Sequence, residues 1–192
     1  MHIKPEIRIL GIDDSSLHNE QVMIVGAFFR GGEWLDGVVR SYITKDGDDA
    51  TDTIIRMVTD SKHFGQVRVL MFDGITYAGF NVVDIKTVYE TTGIPCIVVM
   101  RGCPDFGSIR SALEYLPDPV TRWELIKRAG EINKVLTREG ENPIFIQRCG
   151  ISLEDAKEIA QLSATHSNIP EPLRVAHLIA TGIVCGESTG KP

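Results

Sequence analysis

Two short apolar runs in this chain stop abruptly on aspartate: Ile7-Arg-Ile-Leu-Gly-Ile-Asp13-Asp14 and Val67-Arg-Val-Leu-Met-Phe-Asp73-Gly74. Both are rich in β-branched and large apolar residues and give way to small or polar ones, the pattern of a buried strand whose last residue leaves its sheet. Carboxylates at the carboxyl ends of neighbouring strands lie side by side at the edge of an open α/β sheet, where ligands and divalent metals bind. A hard cation is the most economical reason to hold acids together there. Without one, like charges at that range force one of them to keep a proton.

The surrounding sequence limits what such a sheet can belong to. A length of 192 residues makes one domain, spanning 1–192, the default expectation, with a loose tail from about 186. The composition, 43% hydrophobic and 24% charged, supports a substantial core. A net charge of −6 argues against a surface that is one broad basic footprint for nucleic acid. It leaves room for a nucleic-acid enzyme, because clustered metal-holding acids subtract charge where the chemistry occurs. The four cysteines, Cys96, Cys103, Cys149 and Cys185, have no C-x-x-C spacing, which favours a reduced setting over a disulfide framework. The first strand follows the start without a signal-peptide pattern, and no apolar stretch approaches spanning length, so a cytoplasmic protein without membrane contact is expected.

The first third reads as an antiparallel meander. Strands are expected at 7–13, at Gln21 to Phe29, and from about Trp34 to Ile43, with Gly31 and Gly32 making a tight turn. The acidic loop Lys45-Asp-Gly-Asp-Asp49 also reads as a helix start, with Asp49 or Thr51 capping a helix that turns Ile54, Ile55 and Val58 inward. From residue 67 strands and helices alternate: strand 67–72, helix 81–92, strand 95–100, helices near 109–116 and 120–137, strand 143–146, and closing helices at 153–166 and 171–184. Hairpins followed by βαβ units predict an α/β fold, a mixed sheet with helices on both faces. This is the order of the ribonuclease H-like fold, in which acids at the ends of the first and fourth strands, here Asp13 and Asp73, meet.

Each candidate residue has a plainer alternative. Asp13 and Asp73 singly could cap turns, as aspartate often does after a strand; together on adjacent strands they read as a metal site. Strand alternation turns Asp14 away from a site that Asp13 faces. A third acid is expected between them, and Asp46, Asp48, Asp49 and Asp52 compete, although an acidic loop before a helix also serves the helix dipole and solvent. Asp49 is the choice, with Asp52 behind it. Arg101, after strand 95–100, reaches the same edge, where it could grip a phosphate bidentately or pair with a nearby acid. Cys103 has no evident partner base for nucleophilic chemistry. His177 has Leu173 and Ala180 one turn away on an apolar face, where a lone histidine is usually a core residue; Arg174, one turn earlier, raises its standing. No phosphate-cradling glycine motif occurs, which excludes P-loop and dinucleotide chemistry.

The order of Gly11-Ile-Asp13, Phe72-Asp73-Gly74, Gly93-Ile-Pro-Cys-Ile-Val-Val-Met-Arg101, the segment from Gln147 to Ala156, and Pro170-Glu-Pro-Leu-Arg-Val-Ala-His177 resembles endonuclease V over most of the chain. It is most similar to a mainly archaeal family, catalogued as domain of unknown function ninety-nine, that looks like a divergent relative of endonuclease V. The hallmarks of that family read here as Asp46-Gly-Asp-Asp-Ala-Thr51, the run from Asp73 to Asp84, and Gly186-Glu-Ser-Thr-Gly190. The resemblance implies a nuclease that cuts phosphodiesters near deaminated purine with Mg²⁺ or Mn²⁺. Asp13 and Asp73 would be metal ligands, Asp49 or Asp52 would stand where the family has glutamate, Arg101 would replace its lysine, and His177 would lie near the metal. Two departures accompany it: Ser41-Tyr-Ile-Thr44 lacks the prolines of the strand-separating wedge, and the glutamate is shortened to aspartate. The expected function is a metal-dependent phosphodiesterase with two ions on the order of 4 Å apart, acting on flexible or single-stranded DNA or RNA. The competing expectation is an inactive scaffold that binds nucleic acid or protein.

Overall fold

A computed structural model describes residues 2–188. Its centre is a seven-stranded mixed sheet of order β3-β2-β1-β4-β7-β9-β8. The meander is β1 (Arg8–Asp14), β2 (Gln21–Arg30) and β3 (Trp34–Thr44), joined antiparallel. β4 (Val69–Asp73) then pairs parallel with β1 on its other side, and β7 (Cys96–Met100) pairs parallel with β4. β1, β4 and β7 are buried on both faces, which is why they read as unbroken apolar runs instead of alternating ones. At the β2–β3 turn Gly31 has a φ of +55°, and a Cβ there would lie 2.3 Å from the Pro5 carbonyl oxygen, so the turn requires glycine.

Helices cover both faces. On one, α1 (Ala50–Thr59), α2 (Ile85–Thr92) and α4 (Pro119–Arg128) pack Ile54, Val58, Ile85, Val88 and Ile126 against Leu10, Leu70 and Val98. On the other, α5 (Leu153–Ser163) and α6 (Glu171–Cys185) cover Ile9, Met71 and Ile97 with Ile159 and Leu173, and β2 with Ala176 and Ala180. None of the described helices is long and apolar enough to cross a membrane.

Several boundaries differ from the sequence reading. The helix expected over 120–137 ends at Arg128; Gly130 turns the chain with a φ of +91°, and β8 (Asn133–Val135) follows. The helix expected from 81 begins at Ile85, because the Asp84 carboxylate caps it at Lys86 and Thr87. Asn81–Val82 (β6) pairs instead with Thr76–Tyr77 (β5) in a small hairpin. α3 (Phe106–Leu113) starts three residues early, capped by Asp105. β9 (Ile144–Cys149) runs antiparallel to β7 and β8, so the parallel part of the sheet stops at β7. The expected loose tail, including Thr189 and Gly190, lies beyond residue 188 for its last four positions, outside the described residues.

Candidate metal centre

The register of β1 on β4 aligns Ile12 with Phe72, so the next residue of each strand is Asp13 and Asp73, side by side at one sheet edge. Asp13 is 4% exposed; its Oδ1 accepts the Asp14 N–H at 2.8 Å, and its Oδ2 lies 2.9 Å from His177 Nδ1. Asp73 is half-buried, and Arg101, from the turn after β7, places Nη1 at 3.1 and 3.3 Å from its two oxygens.

His177 reaches this edge because α6 lies directly on β1. A Cβ on Gly11 would fall 2.3 Å from the Pro172 carbonyl carbon, so only a residue without one lets the start of α6 approach so closely. Leu173, Ala176 and Ala180 are buried along the same helix and fix its rotation. Arg174 does not support His177: it forms a two-pronged ion pair with the buried Glu171 at 2.7 and 2.8 Å.

A cavity of about 480 Å³ opens over these groups, lined among others by Asp13, Asp14, Asp73, Arg101, His177 and Thr181. Asp14 borders the cavity from the end of the strand, with its carboxylate on the opposite sheet face, as strand alternation requires: it pairs with Ile24, whereas Asp13 pairs with Val25 beneath α6. The Asp14 Oδ2 accepts the Ala78 N–H from the turn of the β5–β6 hairpin, which draws the carboxylate along the sheet edge. Burial raises the pKa of Asp13 to about 7; the neighbouring carboxylates Asp73 and Asp14 add to this, and the His177 bond opposes it. Burial likewise raises Asp14 to about 6, with Asp73 adding and the Ala78 amide opposing. The edge thus concentrates negative charge that is costly until a cation arrives.

One ligand atom each from Asp13, Asp73 and His177 lie within 4.8 Å of one another. Two carboxylates and an imidazole at that spacing fit a divalent cation. The acids of the 46–52 loop do not join them. The Asp49 carboxylate accepts from Thr44 N–H at 3.0 Å, Thr44 Oγ1 at 2.9 Å and Asn81 Nδ2 at 2.6 Å, tying the end of β3 to β6. Burial alone would raise its pKa, but the Thr44 and Asn81 hydrogen bonds prevail and hold it below the usual value. Asp46 accepts the Phe80 N–H at 2.8 Å, while Asp48 and Asp52 are exposed.

Sequence reasoning missed the residues that assemble this edge. Buried Arg122 donates to the carbonyls of Asp46, Gly47, Phe80 and Pro117, clamping the acidic loop to the small hairpin. The fully buried Tyr77 donates its hydroxyl to the Ile12 carbonyl at 2.9 Å, immediately before Asp13. Gly11 could have been found from its sequence, since a glycine inside a strand marks close approach of another backbone.

Known proteins resemble this chain in both sequence and fold. Residues 5–184 match the family model described as endonuclease dU. A UPF0215 protein of Methanosarcina barkeri is 64% identical over 191 residues, covering 99% of this chain and 97% of its own. The crystal structure of an Archaeoglobus fulgidus protein of unknown function superposes with a TM-score of 0.85 at 38% identity, covering 93% of this chain and 98% of that one. Human endonuclease V superposes with a TM-score of 0.62 at 15% identity, over 91% and 82% of the two chains. That last likeness is one of fold, and the fold is ribonuclease H-like.

Proposed function

Because this chain belongs to the endonuclease dU family, we propose that it is a nuclease that hydrolyses nucleic-acid phosphodiesters with a divalent cation held by Asp13 and Asp73. The observation that carries this reading is the convergence of Asp13, Asp73 and His177 within 4.8 Å at the end of two adjacent parallel strands. His177 serves either as the third ligand or, through Nδ1, as the donor that orients Asp13. Carboxylate oxygens dominate the set and the cysteines are elsewhere, so Mg²⁺ or Mn²⁺ suits it better than zinc. Bound there, such an ion supplies an activated water and charge stabilisation at the phosphate.

The protein's own contribution is placement. Arg101 is half-exposed at the cavity wall, and its guanidinium has N–H groups beyond those that contact Asp73, which suits it to a phosphate oxygen. Asp49 is committed to Thr44 and Asn81, which favours a single ion over the pair expected from the sequence. Tyr42, exposed on the edge strand β3, lacks the flanking prolines of a rigid wedge. Flexible or single-stranded substrates should therefore be cut more readily than intact duplex, where unstacking a base costs a few kcal/mol.

The test is Mn²⁺-dependent cleavage by wild type, Asp73→Asn and Arg101→Ala. The substrates are single-stranded and duplex DNA and RNA, plain or carrying deoxyuridine (the nucleoside that the family's description abbreviates) or inosine. Wild type should cut, Asp73→Asn should not, and Arg101→Ala should cut more slowly. No cutting of any substrate by wild type would leave the alternative, a ribonuclease H-like scaffold that binds nucleic acid or protein. Cutting that survives Asp73→Asn would place the chemistry elsewhere.

A further inference from the structure

The third carboxylate of the site is missing from the 46–52 loop, yet the cavity has one. Asp14 lines it together with Asp13 and Asp73. The three acids differ in what surrounds them. Asp13 is paired with His177 and Asp73 with Arg101, whereas Asp14 is held by backbone N–H groups, that of Ala78 foremost. A half-buried carboxylate held mainly by backbone N–H groups is repelled by Asp73, and among its neighbours His177 alone offsets that with charge. An asparagine would take the Ala78 N–H equally well. A nearby cation would answer the charge more fully.

Asp14 is not among the groups whose ligand atoms come within 4.8 Å of one another, so it lies beyond the inner set while bordering the same cavity at the sheet edge. One water on a cation spans that gap, since water-mediated contacts are enthalpically close to direct ones. We propose that Asp14 acts as an outer-sphere carboxylate of the metal centre, accepting a hydrogen bond from a water carried by the ion held at Asp13 and Asp73. The proposal rests on the metal reading above and makes Asp14 a positioning residue for that water.

The turn that holds it supports this. Ala78 has a φ of +47°, an uncommon conformation for a residue other than glycine, and its N–H points to Asp14 while its carbonyl accepts from the Asp46 N–H at 2.8 Å. Arg122 and Asp46 lock the other side of this turn. The hallmark segments 46–51 and 73–84 thus form a brace that fixes one oxygen of Asp14.

The test is Mn²⁺ titration by electron paramagnetic resonance of wild type, Asp14→Asn and Asp73→Asn at mildly alkaline pH, with the melting temperature of each metal-free protein. Asp14→Asn keeps an oxygen for Ala78, so its metal-free melting temperature should equal or exceed that of wild type, while its Mn²⁺ affinity should fall by about tenfold or more. Wild-type affinity in a folded Asp14→Asn, with binding lost in Asp73→Asn, would overturn the role of Asp14 and leave the metal centre standing. Wild-type affinity in Asp73→Asn would overturn the metal centre itself. Should Asp14→Asn fail to fold, Asp14→Ser, which keeps a hydroxyl acceptor, is titrated instead, with the same results deciding.

Discussion

The crowding of Asp13 has a consequence for stability that does not depend on substrate. Its folded pKa, about 7, lies above the ordinary 3.8, so between those values the folded state holds a proton that the unfolded state has released. Stability from this proton is fully present below the ordinary value and is lost as pH rises toward 7, the direction opposite to that of a salt-bridged aspartate. Metal-free wild type should therefore lose stability relative to Asp13→Asn across that window, with a slope approaching about 1.4 kcal/mol per pH unit where one proton separates the states. Denaturant unfolding at several pH values measures it. A difference between the two proteins that stays flat with pH would mean that Asp13 is not held in the crowded, buried setting described. Residue by residue, the site was unevenly legible. Asp13 and Asp73 could be read because a strand ending on an acid is a local pattern. Asp49 was misplaced because a solvated, a bracing and a ligating acid look alike in one loop, and what decides is Asn81, which lies 32 residues away. Asp14 was read as facing away from Asp13, and it does bond on the opposite face, to the Ala78 amide; that it still borders the cavity follows from its place at the strand's end.

Among the elements, α6 governs how the centre is completed, and its seat on β1 is made by one glycine. Gly11→Ala would place a methyl 2.3 Å from the Pro172 carbonyl carbon, backbone that cannot give way as a flexible side chain would. Overpacking of this kind costs about 1–3 kcal/mol. Because His177 rides on the same helix, Mn²⁺ affinity should fall together with the melting temperature. Thermal denaturation and Mn²⁺ titration of Gly11→Ala check both, and a variant as stable as wild type with unchanged Mn²⁺ affinity would contradict the seating described. The strong elements, β1, β2, β4, β7 and the closing helices, were legible because each has a long periodic or unbroken apolar pattern. The β5–β6 hairpin was not, since two paired residues per strand carry no period, and it exists because Tyr77, Asn81 and Ala78 are tied to β1, β3 and Asp14. The end of α4 at Arg128 was hidden because the apolar positions continue into β8 past the Gly130 turn.

For the whole molecule, strand order does the assembling. Placing β1 beside β4 in parallel turns two aspartates that are 60 positions apart in sequence into neighbours, and flanking helices bring His177 and the Arg122 brace to the same edge. The mixed sheet and the pairing of β1 with β4 were legible from hairpin-then-crossover order. The antiparallel return of β9 was not, because the segment between β7 and β9 is long enough to reverse either way. Whether this edge holds a divalent cation is read from anomalous difference density in crystals grown with Mn²⁺. A peak bounded by Asp13, Asp73 and His177 is expected. A map with Mn²⁺ bound elsewhere on the protein and none between those residues would contradict it.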